Sequence, residues 1–187
     1  MMGHVRRLPV TLIVLAAVGC ATAGPPVPPD AGSTTSASAP PAPSATETAW
    51  AAAVCGIDRA LVEASRAPDR VGSGWREEPG AHRAEIVAVL TDVDTTLKSL
   101  QQQVAALTPA PFAGGDAVVR AYRDTIDPLQ ARIAGYASDA AVFPPDGIAA
   151  VFRLAAGELV SFTVGAPDLD DPAYARARRV ATGCGGR

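Results

Sequence analysis

The stretch EIVAVLTDVDTTLKSLQQQVAAL, Glu85 to Leu107, decides the fold. Its apolar residues Ile86, Leu90, Val93, Leu97, Leu100, Val104 and Leu107 recur at steps that alternate four and three over three heptads. A helix turns once in about 3.6 residues, so this spacing draws a single apolar stripe along a helix, where a strand would need alternation with period two. A stripe on that repeat is the seam of a helix packed lengthwise against others. Asp92, Asp94, Lys98, Gln101 and Gln102 fill the remaining positions with polar side chains for solvent.

The pattern repeats on both sides. Trp50, Val54, Ile57, Leu61 and Ala64 form a stripe before it. After it come Val119, Tyr122, Ile126, Leu129, Ile133, Tyr136 and Ala140, then Ile148, Phe152, Ala155, Leu159 and Phe162. Breakers separate the stripes. Pro68 to Gly80 is rich in Pro and Gly and reads as a loop. Thr108-Pro109-Ala110-Pro111 and Gly114-Gly115 end the second helix and lead to Asp116, read as the next N-cap. Pro144-Pro145-Asp146 opens the fourth helix, and Gly165 to Asp171 makes an acidic turn. Asp171-Pro172 has the order of an N-cap and first helical position, predicting a short last helix from Pro172 to Ala181. Pro128 falls inside the third stripe, so that helix should kink near Thr125 or restart after Asp127. The expectation is an all-α domain over residues 47–187: a four-helix up-down bundle with a short C-terminal fifth helix.

The preceding chain has a different character. His4, Arg6 and Arg7 give a positive start, Leu8 to Val18 is apolar except for Pro9 and Thr11, and Gly19, Cys20 and Ala21 are small. That is the layout of a secretory signal, over residues 1–19. A lasting membrane span needs about 20 apolar residues, more than this run holds. Arg6-Arg7 is followed by Leu8-Pro9-Val10 and reads as a plain positive region rather than a twin-arginine signal. Residues 21–46 carry seven prolines, one charge and no aromatic. Such a segment buries too little apolar surface to offset chain ordering, so it reads as a disordered spacer. As a flexible coil it would span roughly 30 Å.

Ala17-Val18-Gly19-Cys20 resembles the lipobox of bacterial lipoproteins, with Ala17 where that family prefers Leu. The resemblance implies cleavage before Cys20 and a diacylglyceryl thioether on its sulfur, enough for lasting membrane retention. Ala21-Thr22-Ala23 is a competing A-x-A site, and cleavage after Ala23 would release a soluble secreted protein. The whole layout resembles small secreted lipoproteins of actinobacteria, with a lipobox, a Pro/Ser-rich tether and a helical domain bearing one cysteine near each end. One lysine against fifteen arginines agrees with a GC-rich genome.

The chain has three cysteines, Cys20, Cys55 and Cys184. Either cut leaves Cys55 and Cys184 as a pair in an oxidising compartment, where thiols rarely stay free. Cys55 adjoins Val54 on the first stripe. Cys184 follows Ala177 and Val180 at steps of three and four, which places it on the buried side of the last helix.

Chemistry is sparse. Without the signal the chain has 14 basic and 19 acidic side chains, a balance that disfavours nucleic acid as a partner. His82 and Glu85 share a helix face and read as a solvated first-turn pair rather than metal ligands. No CxxC, P-loop or dinucleotide fingerprint is present, and Gly72-Ser73-Gly74 lacks the context of a nucleophile elbow. Asp168, Asp170 and Asp171 suit turn and capping roles better than a calcium loop. Trp75, in a Gly-rich loop, is either packed over the core or displayed as a partner contact. No catalytic residue, cofactor or metal is predicted. The expected role is a noncatalytic binding or scaffolding module at the cell envelope, held to the membrane by lipid and meeting an envelope protein or wall polymer. The alternative is a small-molecule or metal carrier with a site between helices near Tyr122 and Tyr136.

Overall fold

Helix α1, Ala45–Ser65, starts before the expected domain boundary at residue 47 because Ser44 caps it. Ser44 Oγ accepts from the Glu47 backbone N–H at 3.1 Å, and Glu47 Oε2 accepts from the Ser44 N–H at 2.7 Å. This reciprocal box satisfies N–H groups that have no partner within the helix. The bonds from Ser44 also hold the Glu47 carboxyl below its ordinary pKa.

The computed structural model describes residues 40–161 and 169–185. Among them every α-helix and 3-10 turn falls in the order α1, two short 3-10 turns, α2 (Arg83–Ala106), α3 (Gly115–Val142), α4 (Pro145–Ser161) and α5 (Pro172–Val180), and no strand occurs. The signal segment 1–19, Cys20, the tether up to residue 39, Phe162 and Asp168 lie outside the described residues. No described helix is long and apolar enough to cross a membrane.

The stripes became the core. The largest fully buried side chains, among them Ile57, Leu90, Leu97, Ile126, Ile133 and Phe152, all stand on the four stripes. Three local expectations are corrected. The Pro68–Gly80 segment holds the two 3-10 turns, Ala67–Arg70 and Ser73–Arg76, rather than irregular loop alone. Gly114, not Asp116, occupies the N-cap of α3, with a φ of 78° that side-chain-bearing residues rarely adopt. The next residue must also be small, because a Cβ on Gly115 would lie 2.5 Å from that of Ala110. Finally, α3 runs unbroken through Pro128, without a restart after Asp127.

Hydrogen bonds show how the helices pair. Gln101 donates to Asp127 at 2.9 Å and Gln130 to Asp94 at 2.6 Å, so α2 and α3 run antiparallel. At one end of this pair the Arg83 guanidinium donates to the carbonyls of Ala140, Ala141 and Phe143 at 2.7–3.0 Å. These include carbonyls at the end of α3, which no longer have partners in the helix. At the other end Trp50 Nε1 donates to the Leu107 carbonyl at 2.9 Å, fixing the start of α1 to the end of α2. Arg132 and Tyr136 of α3 both bond Glu158 of α4. Helix α5 packs on α1, and Tyr174 meets Trp50 and Phe112 edge-on at 5.7 and 5.2 Å. The result is a helical bundle with one apolar core.

Candidate functional site

Cys55 and Cys184 are joined, with sulfurs 2.00 Å and Cα atoms 5.3 Å apart. Cys55 is buried in α1 as expected. The expected place of Cys184 on α5 is corrected: that helix ends at Val180, which is exposed, and Cys184 sits in the turn beyond it. Gly183 has a φ of 89°, and this left-handed residue lets the chain turn back toward α1.

The turn and α1 enclose a cleft of about 520 Å³, lined by Cys55, Asp58, Arg59, Arg66, Arg178 and Cys184. Arg59 Nη2 donates to the Gly183 carbonyl at 2.6 Å. The Arg178 guanidinium lies 5.7 Å from the centre of the Tyr174 ring. Among the described residues none of these three arginines has a carboxylate within 4.0 Å.

Behind the arginines sits Asp58, the one buried charged side chain among the described residues. The hydroxyl of Tyr122, fully enclosed in α3, donates to Asp58 Oδ1 at 2.6 Å. Burial, then the bond to Asp58, pushes the Tyr122 phenol far above its ordinary pKa. Asp58 is thus tied to the core, and the cleft it lines carries more positive than negative charge.

A second cleft, about 550 Å³, opens between the 3-10 turns and α4 and is lined by Arg70, Trp75, Arg76, Phe152 and Val160. It holds two arginines, one of them already paired with a carboxylate. Arg70 pairs with Asp92 at 3.3 Å, and Arg76 stacks 4.6 Å over Trp75.

The remaining candidate residues have clear places. Trp75 is 6% exposed and meets Phe152 edge-on at 4.9 Å, so its ring is packed rather than displayed as a partner contact. His82 Nδ1 lies 2.8 Å from Glu85 Oε2, while Glu85 Oε1 accepts from the Gly72 N–H at 3.1 Å. The pair therefore clasps the turn region to α2 rather than standing apart in solvent. Asp171 caps α5 by accepting from the Ala173 and Tyr174 N–H groups, and Asp170 is exposed. Tyr136 bonds Glu158 of α4 while Tyr122 bonds Asp58 of α1, so the two tyrosines do not face a common site. Among the described residues no three His, Cys, Asp or Glu side chains are grouped to hold a metal ion.

The arginine cleft was missed in the sequence, although a signal existed. Arg59 and Arg66 stand one and three turns after Cys55, and Arg178 lies six residues before Cys184. With the cysteines paired, the three arginines line one cleft. No family model matches the chain, and neither a curated protein nor a solved structure matches it.

Proposed function

We propose that the chain is a cell-envelope lipoprotein, retained through lipid on Cys20 and carrying its helical domain on the tether that ends at Ser44. In this reading α1 to α4 complete an up-down-up-down arrangement with α5 against α1, and the domain is a noncatalytic binding module. The observation that carries the binding role is the group of three arginines lining one cleft without a carboxylate partner among the described residues. Guanidinium groups left in that state attract acidic groups of a partner such as an envelope protein or wall polymer. The small-molecule carrier alternative has no comparable support at Tyr122 and Tyr136, whose hydroxyls serve helix contacts.

Fractionation of the native host tests the anchor. The chain should partition with membranes, and Cys20→Ala should move it to the soluble fraction. Mass spectrometry should find a diacylglyceryl group on an N-terminal Cys20; an unmodified N-terminus at Gly24 would establish the soluble alternative. Cross-linking in the same host should recover an envelope protein or wall polymer, whereas a small molecule or metal that co-purifies in stoichiometric amount, and that is lost on substitution of Tyr136 but not of Arg66 or Arg178, would favour the carrier.

A further inference from the structure

The geometry points to a phosphate-ester site in the cleft beside the Cys55–Cys184 bond, selective for an ester with a hydroxyl close to the phosphate. The inference rests on the binding-module reading and names its ligand chemistry.

Three features converge. The first is charge: Arg59, Arg66 and Arg178 line the cleft together with one carboxylate, Asp58. Like charges held together repel, and an anion removes that repulsion. The second is preorganisation. Arg59 is tied to the Gly183 carbonyl and Arg178 lies beside the Tyr174 ring, while the disulfide fixes the turn to α1. A ligand then has little side-chain freedom left to remove from two of its three cations. The third is size, because an open cleft of about 520 Å³ admits a small organic ester and exceeds what a bare ion needs.

The residue types narrow the class. Each guanidinium presents a planar fork of donors, and a phosphate offers several acceptor oxygens to more than one fork. A carboxylate ligand has only two oxygens to share among three arginines. Asp58 disfavours an anion placed directly against it. A carboxylate accepts up to about four hydrogen bonds, and Tyr122 supplies one at Oδ1. A ligand hydroxyl donating to Asp58 therefore orients the ester, phosphate toward the arginines. Val62, partly exposed at the edge, and the disulfide offer apolar surface to the carbon portion.

The chemistry fits a free phosphate ester or the glycerol phosphate headgroup of a lipid, and two probes separate them. The full-length Cys20→Ala chain, which has no lipid of its own to enter a bilayer, is titrated calorimetrically with glycerol 3-phosphate at low salt and without detergent, then mixed with phosphatidylglycerol or phosphatidylcholine vesicles. Glycerol 3-phosphate should bind one to one, compete with inorganic phosphate and weaken as salt rises. Arg66→Gln and Arg178→Gln should each weaken it about tenfold or more, the loss expected of one charge-assisted contact. The Arg66 side chain makes no hydrogen bond or ion pair among the described residues, so its variant should keep the fold. Arg120→Gln, on an exposed site of α3 outside the cleft, should bind as wild type does. Binding to phosphatidylglycerol vesicles alone, lost in the same variants, assigns the phosphate to a lipid headgroup. Binding by neither probe, or equal binding by folded Arg66→Gln and Arg178→Gln proteins, overturns the site. Membrane fractionation of the Cys20→Ala chain is unaffected by that result, so failure of the cleft and failure of the anchor are separate outcomes.

Discussion

The Tyr122 hydroxyl reaches from α3 to Asp58 Oδ1 of α1, 64 residues earlier, in a buried hydrogen bond of 2.6 Å. This bond holds a largely buried carboxylate where the apolar core meets the arginine-lined cleft. Burying a charge is costly unless it is hydrogen-bonded, and Tyr122 supplies that bond. Tyr122→Phe removes the donor and leaves an acceptor of Asp58 unsatisfied. The expected loss is about 1–3 kcal/mol of folding stability, read from urea denaturation. The Tyr122→Phe/Asp58→Asn pair should show coupling in a double-mutant cycle. Additive losses would mean that the bond contributes nothing.

Alkaline pH tests the same bond. The folded-state pKa of Tyr122 is raised by burial and by Asp58. The neutral phenol is therefore favoured by folding. Its contribution is fully present below the unfolded value of about 10 and is lost as pH rises from there toward the folded value. Stability should fall between pH 10 and pH 11.5 with a slope approaching 1.4 kcal/mol per pH unit, about the limit for one proton. Tyr122→Phe should have a correspondingly shallower slope in the same denaturation series. Identical slopes in the two proteins would show that other groups control the alkaline limb.

The disulfide closes a sequence separation of 129 residues. On the chain-entropy account its loss costs roughly 5 kcal/mol, and less where the reduced chain keeps residual structure. Cys55→Ala/Cys184→Ala should lower the urea midpoint by a matching amount and loosen the turn that lines the cleft. Thiol counting on denatured, unreduced protein should detect neither Cys55 nor Cys184. Two reactive thiols would refute the pairing.

Glu85 gives an acid-side prediction. Its carboxyl is held below its usual 4.5 first by the hydrogen bond to His82 and then by the Gly72 N–H. The ionised form is favoured by folding, so its contribution is present above 4.5 and is lost as pH falls through the lowered value. Acidification should loosen the Ala67–Arg76 turns while the bundle persists, exposing the Trp75 ring. A red shift in tryptophan emission at acid pH, reproduced at pH 7 by Glu85→Ala, is the expected signature. Unchanged emission in that variant would remove the clasp.

Helical periodicity carried much of the fold because it is local. Which side of a helix is apolar follows from residues three and four apart, so the stripes containing Leu97 and Ile133 were readable before any partner was known. The errors fell where side chains and backbone compete over short distances. Asp116 looked like a cap, but the close approach of Ala110 gives that role to the Gly114-Gly115 step. Pro128 allowed a kink or a restart, and α3 continues through it without the restart, packed on both α2 and α4.

The pairing of Cys55 with Cys184 agrees with the sequence expectation, which rested on parity and on reading the first residues as an export signal. The expected secretory signal and lipobox rest on residue order alone, and the residues concerned lie outside the described ones. What the sequence by itself determined was therefore which segments are helical and which faces are apolar.

Tertiary structure alone decided that Tyr122 meets Asp58, that Trp75 is packed on Phe152, and that Arg59, Arg66 and Arg178 line one cleft. These residues are far apart in the chain or carry no periodic signal. Their meeting depends on the rotation and offset of packed helices, and those are set by the sum of many weak side-chain contacts rather than by any short stretch of sequence.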